Sequence, residues 1–159
     1  MCSSDLLMRA LRVDKLTYAA LEATIAAYLR GEAQKEIPAL AALHATREEI
    51  AIRTSAFIEL GRASSAQLPR ELILEAVEGF SAVGGGSAPE TQIPTVLIGV
   101  THRSLSPSTI EERLRHNLPP IVARIVEDRL VLDLRTVRIG EEAAIIDALQ
   151  RDRKSTRLN

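Results

Sequence analysis

The residues best placed to do chemistry are two arginines near the start of the chain. In "LMRALRVDKLT", positions 7 to 17, Arg9 and Arg12 stand three apart, followed by Asp14 and Lys15. At that spacing two side chains share one side of a helical turn. Two guanidinium forks side by side suit a phosphate-like oxyanion, because each offers planar, paired donors and keeps its charge. Two arginines are equally the solvated entry to a helix, and spacing alone favours that plainer reading. The other reactive types are scattered. His44, His102 and His116 have no second histidine at ligand spacing and no cysteine pair beside them, so no metal site is expected. Ser87 follows Gly84, Gly85 and Gly86, but "GGGS" lacks both the Gly-x-Ser-x-Gly frame and the Gly-Lys-Ser/Thr ending. It reads as a tight bend or a close approach of bare backbone. Arg135 is expected on the last strand, on the face opposite Leu130, Leu132 and Leu134, either exposed or at a domain interface.

These residues need elements to hold them. Thr17 to Leu29 reads as a helix, with Leu21, Ile25, Tyr28 and Leu29 on one face and Gly31 as its stop. Pro38 opens a short apolar helix ending near His44. "TREEI" is a capping box, Thr46 and Glu49 satisfying each other's amides, and starts a helix carrying Ile50, Phe57 and Leu60. The period then changes. "ELILEAVEG" and "TVLIGV" read as strands around a Gly/Pro/Ser loop, and Ser106-Pro107 starts another helix. In "PPIVARIVEDRLVLDLRTV", a turn at Glu127-Asp128 sets Ile125 against Leu130, Ala123 against Leu132 and Ile121 against Leu134. A final amphipathic helix spans Gly140 to Leu149. The order is helices, then β, β, α, β, β, α. That predicts an α+β fold, an antiparallel sheet with helices on one face.

Composition narrows the classes. The 159 residues are 46% hydrophobic and 26% charged, with a net charge of −1, so no global pull toward nucleic acid or membrane exists. The single cysteine, Cys2, excludes an internal disulfide. No apolar run reaches the roughly 20 residues that span a bilayer. Aromatics are 3%, too few for base-stacking platforms. The ends, "MCSSDL" and "RDRKSTRLN", break with the periodic patterns between them and resemble translated sequencing-adapter DNA. Four parts are therefore expected: an artefactual tail at 1–6, a helical segment at 7–66, a small α+β domain at 67–150 and a second artefactual tail at 151–159.

The ordered wording carries more than any single motif. "RALRVDKLTYAALEATIAAYL", "EIPAL", "VGGGSAPETQIPT", "PPIVARIVEDRLVLDLRTV" and "EEAAIIDAL" resemble, in order, landmarks of bacterial selenocysteine synthases, from about Leu7 to Leu149. The resemblance implies the C-terminal part of a fold type I pyridoxal-phosphate transferase. It implies a cytoplasmic homo-oligomer built from dimers that converts seryl-tRNA(Sec) to selenocysteinyl-tRNA(Sec) with selenophosphate. In that family the positions of Arg9 and Arg12 help form the pocket for the selenophosphate phosphate group. The cofactor lysine precedes those arginines, so Lys15 is not it, and the 159 residues alone are expected to be inactive. Lys15, Gly84, Gly85, Gly86 and Arg135 remain weaker candidates near the site or a domain interface. Where the family carries glycine in the last hairpin turn, this chain has "VEDRL". Two other readings stand beside this one: a related pyridoxal-phosphate lyase or aldolase acting without tRNA, and a non-catalytic α+β domain.

Overall fold

The structure is a computed structural model and describes residues 11–63, 68–83 and 92–155. Arg9 and Gly84 to Ser87 lie outside the described residues. The chain divides into two compact units, Met1–His44 and Ala45–Asn159.

The first unit is helical. Asp14 caps helix α1 (Lys15–Leu29), its carboxylate accepting from the Thr17 amide at 2.8 Å and the Thr17 hydroxyl at 3.2 Å. The same bonds hold the Asp14 carboxyl below its ordinary range, the backbone one contributing most. At the other end Gly31 takes a φ of +74°. Its amide donates to Tyr28 O and the Glu32 amide to Ala27 O. That pair of bonds is a Schellman stop, which glycine permits because it has no Cβ to clash. Two short helices follow, α2 (Ala33–Glu36) and α3 (Pro38–His44). In α1 only Ala27 is buried; Leu21, Ile25, Tyr28 and Leu29 are all exposed.

The second unit contains the sheet. Helix α4 (Arg47–Ala63) begins at the expected capping box, the Glu49 amide donating to Thr46 Oγ1 at 3.2 Å and the Thr46 amide to Glu49 Oε2 at 2.8 Å. Strands β1 (Leu72–Ala82) and β2 (Gln92–His102) form one long antiparallel pair, Leu72 opposite His102 through Ala82 opposite Gln92. Both run longer than the apolar wording suggests. Helix α5 (Pro107–Arg115) follows, capped by Ser106. Strands β3 (Arg124–Val126) and β4 (Arg129–Leu132) then complete a four-stranded sheet of order β1-β2-β4-β3. Helix α6 (Glu142–Ser155) closes the unit and continues past the expected end at Leu149.

Alternate residues of the strands, Leu72 and Leu74, Ile98 and Val100, Leu130 and Leu132, join Phe57 of α4, Ile110 of α5 and Ile146 of α6 in one buried core. Helices therefore cover that face, as period-2 patterning requires. On the other face, Glu75 of β1 and Arg129 of β4 form an ion pair at 2.7 Å, past Gly99 of the central strand.

Three observations differ from the sequence reading. Helix α4 belongs to the sheet unit, because Ile50, Thr54, Phe57, Ile58 and Gly61 are its buried face and it packs on β1 and β2; the expected segment boundary falls after it, at 66. The last hairpin has the expected Ile125–Leu130 register and turn, but its ladder is three pairs long. Ala123, Leu132 and Leu134 are still buried, yet Ala123 and Leu134 reach the core from outside the strands. Arg135 does not lie on the last strand and does not face solvent. It sits in a 3-10 turn (Leu134–Thr136) that Asp133 initiates by accepting from the Arg135 amide at 3.0 Å, and it is only 7% exposed. The cap ends the strand two residues early and turns the guanidinium inward.

Candidate functional site

In the arginine-bearing stretch, Arg12 is exposed and stands two residues ahead of the α1 cap. Asp14 is committed to Thr17, so its role there is capping. Lys15 is the first residue of α1 and exposed. No carboxylate occupies the first turn of α1. The Asp14 carboxylate already occupies the positive end of the helix dipole, so what remains beside it is the charge of Arg12 and Lys15. Arg9, the other half of the expected clamp, lies outside the described residues, as do Gly84, Gly85 and Gly86.

Within the sheet unit a polar centre appears that no motif announced. Arg135 donates from Nε to Ser81 Oγ at 3.0 Å, from Nη1 to Ala45 O at 2.5 Å and from Nη2 to Pro94 O at 3.0 Å. Ser81 Oγ in turn donates to Asp133 Oδ2 at 2.5 Å, and the Thr95 hydroxyl lies 3.4 Å from Asp133 Oδ1. A second arginine, Arg53 on α4, donates to Leu134 O at 2.9 Å and Val137 O at 3.0 Å and pairs with Glu142. Among the described residues no buried side-chain polar atom lacks a partner. These side chains hold carbonyls and one another; their donors are committed to the fold. The signal in the sequence was slight: an Asp-x-Arg spacing at 133 and 135, and one arginine inside an otherwise buried helix face.

A cleft of about 550 Å³ lies where the last hairpin splays apart, lined by Ser81, Pro120, Ile121, Arg124, Asp133 and Ile145 among others. Two of the three histidines hold local backbone. His102 Nδ1 accepts from the amides of Ser104 and Leu105 at 3.2 Å, and His116 Nδ1 lies 2.8 Å from Glu112 O. Among the described residues no group of three or more His, Cys, Asp or Glu could hold a metal. The described lysines of the helical unit, Lys15 and Lys35, are both exposed. A lysine that holds a cofactor as a Schiff base is normally desolvated so that its amine loses its proton. Neither fits that task.

Fold and site together define a class. This is a small α+β unit, joined in sequence to helices whose entry carries the exposed cations Arg12 and Lys15. The comparisons with known proteins give the particular family. The sequence profile of the L-seryl-tRNA selenium transferase family matches residues 2–138, and the chain belongs to that family. It is 41% identical over 146 residues to the L-seryl-tRNA(Sec) selenium transferase of Geobacter sulfurreducens, covering 91% of this chain and 31% of the relative. The corresponding enzyme of Alkaliphilus metalliredigens is 42% identical, with 91% and 30% covered. That of Moorella thermoacetica is 38% identical, with 90% and 30% covered. The chain therefore spans about a third of the length of the curated relatives it matches.

Proposed function

We propose that this chain is the C-terminal segment of a cytoplasmic, homo-oligomeric fold type I pyridoxal-phosphate enzyme that makes selenocysteinyl-tRNA(Sec) from seryl-tRNA(Sec) and selenophosphate. Within it, Arg9 and Arg12 hold the phosphate group of selenophosphate. The observation that carries this reading is the cationic entry to α1: Arg12 exposed, Asp14 occupied by its cap, and no acidic side chain in the first turn. Family membership supports the chemistry that the entry would serve.

Charge is the physical requirement. Selenophosphate is an oxyanion, and its phosphate departs carrying negative charge. A fixed pair of guanidinium groups binds it in two planes at once and offsets the charge that remains. A lysine at the same place would offer one point charge without the fork. The cofactor, when bound, supplies the electron sink. The resemblance places the residue that would anchor it ahead of the paired arginines in sequence, so Lys15 serves only the helix entry.

The test is Arg12→Ala in the full-length enzyme. Loss of one charge-assisted pair costs about 1.5–3 kcal/mol, so the KM for selenophosphate should rise about 10- to 100-fold while affinity for seryl-tRNA(Sec) holds. An unchanged selenophosphate dependence would overturn the assignment.

A further inference from the structure

The Ala45–Thr46 peptide is held at both of its ends. Its carbonyl oxygen accepts from Arg135 Nη1 at 2.5 Å, and its N–H donates to Glu49 Oε2 at 2.8 Å. A peptide unit is planar, so bonds at the oxygen and at the nitrogen together fix the direction of the whole plane. Ala45 is also the first residue of the sheet unit; the preceding residue, His44, ends the helical one. Arg135 is itself over-determined. Its three nitrogens reach three separate segments, at Ser81, Ala45 and Pro94, and its own amide donates to Asp133, which accepts from Ser81. Arg135, Ser81 and Asp133 thus close a ring, Nε to Oγ, Oγ to carboxylate, carboxylate to the Arg135 amide. A buried guanidinium is costly unless all its donors are matched, and a core leucine would serve packing alone. The arrangement is built to hold a carbonyl in a set direction.

We infer that Arg135 is a positioning residue. It locks the Ala45–Thr46 peptide plane, the first peptide of the sheet unit, and so fixes the start of helix α4. Its effect on catalysis rests on the function proposed above; the lock itself does not.

The experiment has two arms. In the 159-residue chain, Arg135→Gln is compared with the wild type by hydrogen exchange. Amides from Thr46 to Ile50 should exchange about tenfold faster, as expected for local opening, while those of β2 change less than about twofold. Unchanged exchange at Thr46, or an equal increase everywhere, would overturn the lock. Should Arg135→Gln fail to fold, Glu49→Ala releases the other end of the same peptide from an exposed position, and the same local increase is expected; no increase there is equally fatal. In the full-length enzyme carrying this segment, Arg135→Gln should raise the KM for selenophosphate about three- to tenfold with kcat within about twofold. Arg135→Lys should not restore it, because one ammonium cannot span three acceptors. A fall in kcat alone, or full rescue by lysine, would count against positioning. If the unaltered enzyme makes no use of selenophosphate, the proposed function fails, and the exchange arm still decides the lock.

Discussion

At the scale of single residues, Glu142 gives the clearest pH dependence. Burial pushes its carboxyl up. The hydrogen bond from Arg53, those from its own amide and the Gly140 amide, and the Arg53 charge outweigh burial, so it rests below the ordinary glutamate range. The sign follows directly. A carboxyl whose folded pKa is depressed stabilises the fold above its unfolded pKa of about 4.3, and that stability is lost as pH falls through the folded value. Glu142→Gln should therefore cost about 1 kcal/mol at pH 7 and much less at the acid end of the range. Urea unfolding at pH 7 and again below pH 4 checks this; a penalty that stays the same at both would refute it. How much of such a residue was legible beforehand depends on the distance to its partners. Glu49 acts on an amide three residues away, so spacing revealed the capping box; Asp14 caps α1 at the same distance, although the wording suggested a start at Thr17. Arg53 and Arg135 act on acceptors 41 to 90 residues away, and no local pattern records those. Arg135 was misread because alternation was carried through Asp133, whose carboxylate caps a turn and ends the strand.

At the scale of elements, the last hairpin shows what alternation can and cannot specify. Its register was readable because a one-residue slip would move every apolar side chain to the wrong face. Its length was not, because the strand partners end where Asp133 turns one chain. The turn itself is a poor match to its sequence. Glu127 and Asp128 take φ values of 50° and 56°, the left-handed region that two-residue hairpin loops need and that Asn-Gly fills at least cost. Replacing the pair, Glu127→Asn with Asp128→Gly, should raise stability by roughly 1 kcal/mol. Thermal unfolding reads this out, and a melting temperature that falls or stays put would show that the turn is not strained as described.

At the scale of the whole molecule, the α+β order was legible because the period changes from about 3.6 to 2 near Leu72 and back again at Pro107. The association of α4 with the sheet was not. It depends on surface fit: a Cβ on Gly61 would meet Leu68 at 3.0 Å and Leu74 at 3.2 Å, so the helix approaches β1 as closely as glycine allows. The two units differ in how they use apolar surface. The sheet unit encloses its own core, whereas α1 leaves Leu16 82% exposed, Leu21 54%, Ile25 50% and Leu29 84%. Exposed apolar area on this scale promotes association. The 159-residue chain should self-associate in sedimentation at micromolar concentration, and Leu21→Lys with Ile25→Lys should return it toward a monomer without altering the melting of the sheet unit. A wild-type chain that sediments as a monomer would contradict this.

Gly99 has a bearing on heredity. Beside it, Arg129 Cδ would lie 3.1 Å from an added Cβ, Glu75 Cγ 3.2 Å and Val77 Cγ2 2.9 Å. The missing methyl is a slot through which two charges on non-adjacent strands meet. Positions 75, 99 and 129 are separated in the gene, yet a side chain added at 99 would meet the stems of the other two. A mutation at the glycine acts on both charged stems and on Val77, and Val77 alone keeps the position closed to a side chain when either charge is lost.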